Sequence, residues 1–217
     1  MNVNQGGFAM GKLELNKKKK KDALFNTAFE LFTTKGLTKT TISDIVEQAG
    51  VAKGTFYLYF KDKYDIRNKL ISHESSKLFK NAAKDLKEYS ENISGELAFD
   101  EQIIFMVNHI INALNSNKAL LTFISKNLSW GIFKEALTTN IAENDINFED
   151  VFYHIIENCS ETIKEPEIML FLIIELVSST CYSVILYSEP VDLETIKPYL
   201  FGAIRAIISQ HLSVSES

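Results

Sequence analysis

The stretch TTISDIVEQAGVAKGTFYLYFKDK, residues 40–63, decides how this chain folds. Thr41 is a good N-cap, and Asp44 three residues later gives a capping-box arrangement. Ile42, Ile45, Val46 and Ala49 then supply the apolar face of a helix of about two turns. Gly50 can turn the chain at positive φ without strain. Val51 forms an elbow, and Lys53 to Tyr59 reads as a second short helix. Two short helices joined by a tight glycine turn make a helix-turn-helix. The second helix is unusual in carrying Phe56, Tyr57, Tyr59 and Phe60 between Lys53, Lys61 and Lys63. So much aromatic surface and positive charge on two turns implies that the turns face two different partners.

Upstream, Lys17 to Lys21 is a five-lysine run leading into DALFNTAFELFTTKG. Leu24, Ala28, Leu31 and Phe32 make a helical stripe there, and Gly36 supplies a left-handed stop. Residues 1–16 lack periodicity and read as a loose arm. Lysines in a first helical turn oppose the macrodipole, which favours an external anion as their partner. Downstream, Asp62 and Asp65 start a long helix over about 63–89. Further helices follow near 97–115, 118–127, 129–139, 147–163, 167–187 and 197–212, with Pro166 and Pro198 at first-turn positions. No segment sustains strand alternation. The expected fold is all-α with nine or ten helices: an arm over 1–16, a three-helix helix-turn-helix domain over 17–69, and a helical domain over 70–217.

Charge divides in the same place. Residues 12–70 carry 13 Lys and Arg against 7 Asp and Glu, a net of +6, whereas residues 71–217 carry 10 against 21, a net of −11. A basic first third on an acidic remainder suggests that the first third meets a polyanion. The N-terminus MNVNQGGFAM lacks the positive start and apolar stretch of a secretory signal. Cys159 and Cys181 are far apart and read as reduced, buried side chains of a cytoplasmic protein. Residues 168–187 approach the length of a membrane span. Glu175, Ser178, Ser179 and Thr180 interrupt them, and the acidic flanks argue instead for a buried helix. No metal-ligand spacing, phosphate-binding glycine loop or cofactor motif is present, so an enzyme is not expected.

The pattern Thr40-Thr41, Ile45, Ala49-Gly50-Val51, Gly54, Tyr57, Phe60 and Lys63 resembles the DNA-binding signature of the TetR (tetracycline-repressor-like) family of bacterial one-component regulators. One departure is Val46, where the family usually has a small residue. The resemblance covers residues 17–70 and implies a recognition helix that enters the major groove by its N-terminal residues. By that resemblance Thr41, Lys53, Gly54, Thr55, Tyr57, Tyr59 and Lys63 are the expected DNA contacts, with Phe56 and Phe60 facing inward. Lys53 suits a guanine edge or a phosphate, and Gly54 lets the backbone come close. The hydroxyls and Lys63 suit phosphates.

The resemblance also implies that the second domain dimerises and holds an inducer. Leu170, Ile174, Val177, Cys181 and Ile185, with Leu200, Phe201, Ile204, Ile207 and Ile208, form the expected four-helix interface with a symmetry mate. Gly202 and Ala203 would allow close approach. Phe105, His109, Phe123, Trp130, Phe133 and Phe152 are the expected lining of a pocket for a small lipophilic or aromatic ligand. The function so implied is a homodimeric repressor on a palindromic double-stranded DNA operator, released by that ligand, with no membrane partner. The alternative is a ligand-independent architectural or cell-division factor on the same fold.

Overall fold

The computed structural model describes residues 11–93, 95–127, 148–157, 159 and 161–213. They form nine helices: α1 (Lys12–Thr34), α2 (Ile42–Gln48), α3 (Lys53–Tyr59), α4 (Lys63–Asn92), α5 (Phe99–Ser116), α6 (Lys118–Asn127), α7 (Phe148–Glu157), α8 (Pro166–Tyr187) and α9 (Leu193–His211). The only strands among the described residues are β1 (Thr162–Ile163) and β2 (Leu212–Ser213), paired antiparallel. The chain separates into two compact units at Leu70 and Ile71. The expected helix over 129–139 lies outside the described residues.

In the first unit, α1, α2 and α3 close on a core of Leu24, Phe25, Ala28, Phe32, Ile45, Phe56 and Phe60, joined by Ile66 and Leu70 from the first turns of α4. Phe25 meets Phe60 edge-on at 5.3 Å, and Phe56 meets Phe60 at 5.4 Å. Such pairs add to what burial alone contributes. The departing Val46 is buried. Gly36 and Gly50 both take the left-handed conformation, at φ +87° and +65°.

Several boundaries differ from the sequence reading, among them the helix expected over 147–163, which ends at Glu157 and leaves Thr162–Ile163 to pair as a strand. Helix α1 begins at Lys12, because Leu, Glu and Lys are all good helix formers and nothing breaks the run after Gly11. The lysine run therefore lies beyond the first turn, where Glu14 sits instead, and the macrodipole no longer disfavours it. Helix α4 runs on to Asn92. Helix α9 starts at Leu193, where Asp192 accepts the Thr195 backbone N–H at 3.0 Å, so Pro198 lies inside the helix rather than in its first turn.

The second unit is built on α8, which packs against α5, α6 and α9. Pro166 opens α8 from a left-handed Glu165. The two-residue ladder pins the end of α9 to the lead-in of α8. There the Lys164 N–H donates to His211 O at 2.8 Å, and His211 Nδ1 meets Lys164 O at 2.7 Å. Arg205 Nε donates to Asp100 at 3.0 Å, tying α9 to α5. By length and composition α8 is the one described helix able to cross a membrane. Its Met169, Leu170, Ile173, Cys181, Val184 and Ile185 are nevertheless buried inside the unit. Burial pushes the Cys181 thiol up to about 12, which keeps it protonated and inert. Cys159 is only half-buried, against expectation.

Candidate DNA-binding site and ligand cavity

Helix α3 presents two opposed faces. Phe56 is fully buried and Phe60 nearly so, whereas Lys53, Gly54, Tyr57 and Leu58 are exposed, Tyr57 to 53% and Leu58 to 79%. The spacing of the exposed residues, i, i+1, i+4 and i+5, makes one stripe along the helix. Tyr57 leans edge-on against Phe56 at 5.5 Å, so buried aromatic packing orients an exposed ring. A Cβ added at Gly54 would meet nothing in the chain, which leaves the backbone open to an approaching surface. Thr55 is half-buried. The sequence reading missed Leu58. Its position four residues after Gly54, on the face opposite Phe56 and Phe60, was the available signal.

The two threonines before α2 do different work. Thr40 is fully buried, and its hydroxyl donates to Gly36 O at 2.8 Å. Thr41 is exposed and caps α2 reciprocally: its Oγ1 accepts the Asp44 N–H at 3.1 Å, and its own N–H donates to Asp44 Oδ2 at 2.9 Å. The Thr41 hydroxyl proton is left for an outside acceptor. Lys35 Nζ lies 2.6 Å from the same Asp44 carboxylate. That ammonium first, and then the Thr41 N–H, hold the Asp44 carboxyl down at about 2.

Two expected DNA contacts, Lys63 and Tyr59, also meet main-chain carbonyls of their own unit. The Lys63 ammonium donates to Leu37 O at 3.0 Å, Thr38 O at 3.3 Å and Thr40 O at 3.1 Å. An ammonium has three donors, and three carbonyls match them. The Tyr59 hydroxyl donates its single proton to Lys17 O at 3.2 Å, which leaves none for a phosphate. Tyr59 thereby ties the lysine-bearing start of α1 to α3. Lys17, Lys18, Lys19 and Lys20 are exposed beside that tie.

The second unit encloses a cavity of about 120 Å³ between α4, α5, α6, α7 and α8. Its described walls include Phe79, Ile103, Met106, Ile110, Phe152 and Ile174, with Ser75, Ser125 and Ser178 as the polar members and no charged residue. Among the described residues of the expected lining, Phe152 is there and Phe105, His109 and Phe123 are not. Phe105 instead stacks on Tyr89 at 5.0 Å. His109 points its Nδ1 at Asp85 Oδ2, 3.1 Å away. Phe123 is buried away from the cavity. Trp130 and Phe133 lie outside the described residues.

Part of the expected dimer face turns inward, whereas Phe201 and Ile207 stay half-buried and Gly202 and Ala203 exposed. Leu170, Cys181, Ile185, Leu200, Ile204 and Ile208 are buried within the unit itself, and Ile174 and Val177 wall the cavity. The large apolar side chains that α8 and α9 leave exposed are Ile168, Leu172, Tyr187 and Tyr199, and Gly202, Ala203 and Ala206 are exposed as well. The apolar excess of these helices goes first into packing them within their own unit.

A capped helix, a left-handed glycine turn and a second helix with one buried and one exposed face define a helix-turn-helix module. Residues 24–70 match the family described as bacterial regulatory proteins, tetR family. Residues of this chain are 52% identical over 44 positions to the uncharacterized HTH-type transcriptional regulator YvdT of Bacillus subtilis, covering 20% of this chain and 23% of that one. They are 37% identical over 65 positions to the fatty acid metabolism regulator protein of the same organism, covering 30% and 34%. The matched stretches thus span about a quarter to a third of those relatives. The structure of the transcriptional regulator FadR from Bacillus subtilis, solved in complex with stearoyl-CoA, superposes with a TM-score of 0.60 at 18% identity, over 87% of this chain and 97% of that one. The higher identities in sequence fall on the short matched stretches, a weaker one (24% over 131 residues, to the probable HTH-type transcriptional regulator YttP of Bacillus subtilis) reaches beyond the length of the first unit, and the likeness in fold extends through both. The match places a helix-turn-helix domain of the tetR type in the first unit.

Proposed function

We propose that the protein is a homodimeric, DNA-binding transcriptional repressor of the bacterial cytoplasm, released from a palindromic operator by a small lipophilic ligand. The observation that carries this reading is the division of α3: Phe56 and Phe60 seat it, and Lys53, Gly54, Tyr57 and Leu58 face out. A helix held this way presents a cation, an approachable backbone and apolar groups to base edges and thymine methyls. Thr55 is half-buried on α3 itself, and Thr41, exposed at the cap of α2, offers a hydroxyl proton to a phosphate. Lys17 to Lys20 add charge beside it.

The exposed strip on α8 and α9 supports a two-fold dimer, because Gly202, Ala203 and Ala206 let a copy of α9 approach closely. Two recognition helices then meet successive major grooves about 34 Å apart. The uncharged cavity supports a ligand that enters by its apolar part. Its volume is comparable to the roughly 150 Å³ apolar cavity that stays dry and takes benzene. A compact aromatic or aliphatic group fits such a space, whereas a chain as long as stearoyl requires the walls to part. Ligand that displaces the α4 wall, through Ser75, Leu78 and Phe79, would shift the helix that begins at Lys63.

The test is selection of an operator from random duplexes by the full chain, followed by titration of the complex with benzene-sized aromatics and, separately, stearoyl-CoA. Sequence-specific retention that a compact lipophile reverses supports the reading. Retention of all duplexes alike, or none, refutes it.

A further inference from the structure

Lys63 and Lys69 both sit on the first two turns of α4, and both point their ammonium groups at main-chain carbonyls of the reading motif. Lys63 takes Leu37 O, Thr38 O and Thr40 O, all in the loop that leads into α2. Lys69 donates to Tyr59 O at 3.2 Å and to Asp65 Oδ2 at 3.0 Å, and its ammonium lies 5.4 Å from the Phe60 ring centroid. Tyr59 is the last residue of α3, where carbonyls lack an intrahelical donor and a cation complements the helix dipole. Asp65 completes the arrangement by accepting the Lys61 N–H at 2.8 Å. One lysine therefore holds the start of the two-helix motif and the other holds its end.

We infer that Lys63 and Lys69 are positioning residues that fix α2 and α3 in register with α4, and that neither neutralises a DNA phosphate. The inference rests on the DNA-binding reading of α3 and specifies how that helix is held. Three carbonyls around one ammonium form a receptor that only a compact three-donor cation fills. A guanidinium, planar and forked, does not converge on them in the same way. Loss of either grip lets the α2–α3 pair move relative to α4 while the aromatic core still holds the domain closed. Specific affinity requires α3 at the correct tilt in the groove. Non-specific affinity requires only the charges.

The experiment uses the full chain on its selected operator and on a scrambled duplex, across a range of salt, at a temperature where each variant is folded. Lys63→Met and Lys69→Met are expected to lower operator affinity by about tenfold or more. The slope of log K against log salt should stay within about half a unit of the parent, and scrambled-duplex affinity should change little. A residue that merely stabilises the domain would lower the melting temperature and leave the ratio of the two affinities unchanged, and that result overturns the inference. So does a fall in slope of about 0.9 for each phosphate that is no longer neutralised, or about 1.8 for two copies in a dimer. Lys63→Arg keeps the charge and is the second variant if Lys63→Met does not fold. A phosphate contact would survive that change, whereas the carbonyl receptor would not, so parental operator affinity in Lys63→Arg refutes positioning. If the parent chain itself shows no operator preference, the DNA-binding reading fails first.

Discussion

Replacing Phe56 by alanine and Leu58 by alanine tests the division of α3 directly, because the two residues are near neighbours in sequence and opposites in environment. Phe56 is fully buried and packs on Phe60 and Tyr57. Leu58 is 79% exposed. Truncating a buried phenylalanine costs about 3–5 kcal/mol, from lost transfer energy and the cavity left behind. The first unit ends at Leu70, and a unit of that length has a total stability of about 4–10 kcal/mol. Phe56→Ala therefore removes a third or more of what holds the unit together. Leu58→Ala, by contrast, should change stability by no more than about 0.5 kcal/mol.

Thermal melts followed by circular dichroism, paired with operator binding, read both quantities. Phe56→Ala is expected to split the melt, with an early transition for the first unit and an unchanged one for the second. Leu58→Ala is expected to melt like the parent and to bind the operator more weakly, by about tenfold if the side chain lies on a thymine methyl in each half-site. A parental melt for Phe56→Ala would mean that α3 is not seated by its aromatic residues. A lowered melt for Leu58→Ala with unchanged binding would mean that the outward face belongs to the fold and not to DNA.

Three further outcomes are expected. The Asp44 carboxyl, held at about 2 against an ordinary 3.8, contributes stability that is present above about pH 4 and lost as the pH falls toward 2; a carboxyl NMR titration that finds an ordinary value would remove the Lys35 pairing from the folded state. A Cβ at Gly202 meets nothing within the chain, so Gly202→Trp should leave the monomer fold intact and block close approach of a second α9; light scattering that still reports a dimer argues against that face. Val177→Phe places a ring in the cavity at a cost of no more than about 1–3 kcal/mol, and should abolish any thermal shift produced by a compact lipophile. A preserved shift would move the ligand elsewhere.

How legible each part was depends on the physics that fixes it. Gly36, Gly50, the Thr41–Asp44 capping box and the Asp62 cap were readable because each acts within a few residues of itself. The inward turn of Phe56 and Phe60 was readable because a helix of this period has only two faces. Lys63 was not, since its three carbonyl partners are more than twenty residues away. Tyr59 was not for the same reason: its partner is Lys17 O. A polar group in a pattern shows what it can donate and not what it will find. The cavity was harder still. Phe105, Phe123 and Phe152 are alike as residues, and only packing decides that one lines a space, one stacks on Tyr89 and one fills the core.

The same distinction changes what the charge count means for DNA binding. The sequence places 13 cationic side chains in residues 12–70, and a reading from composition alone would assign most of them to phosphates. Lys35 is paired with Asp44, and Lys63 and Lys69 are committed to main-chain carbonyls. Lys17 to Lys20, Lys39, Lys53 and Lys61 are the other exposed lysines among the described side chains of this unit. Counterion release counts only charges that reach phosphate, so the salt dependence of binding should be shallower than the basic content of the first unit implies. The acidic surplus after residue 70 acts in the same direction, because a net −11 repels a polyanion and leaves only the first unit able to dock. Specificity must then come less from accumulated charge than from how firmly α3 is held. In this chain the lysines that hold it resemble, in sequence, the ones that would touch DNA.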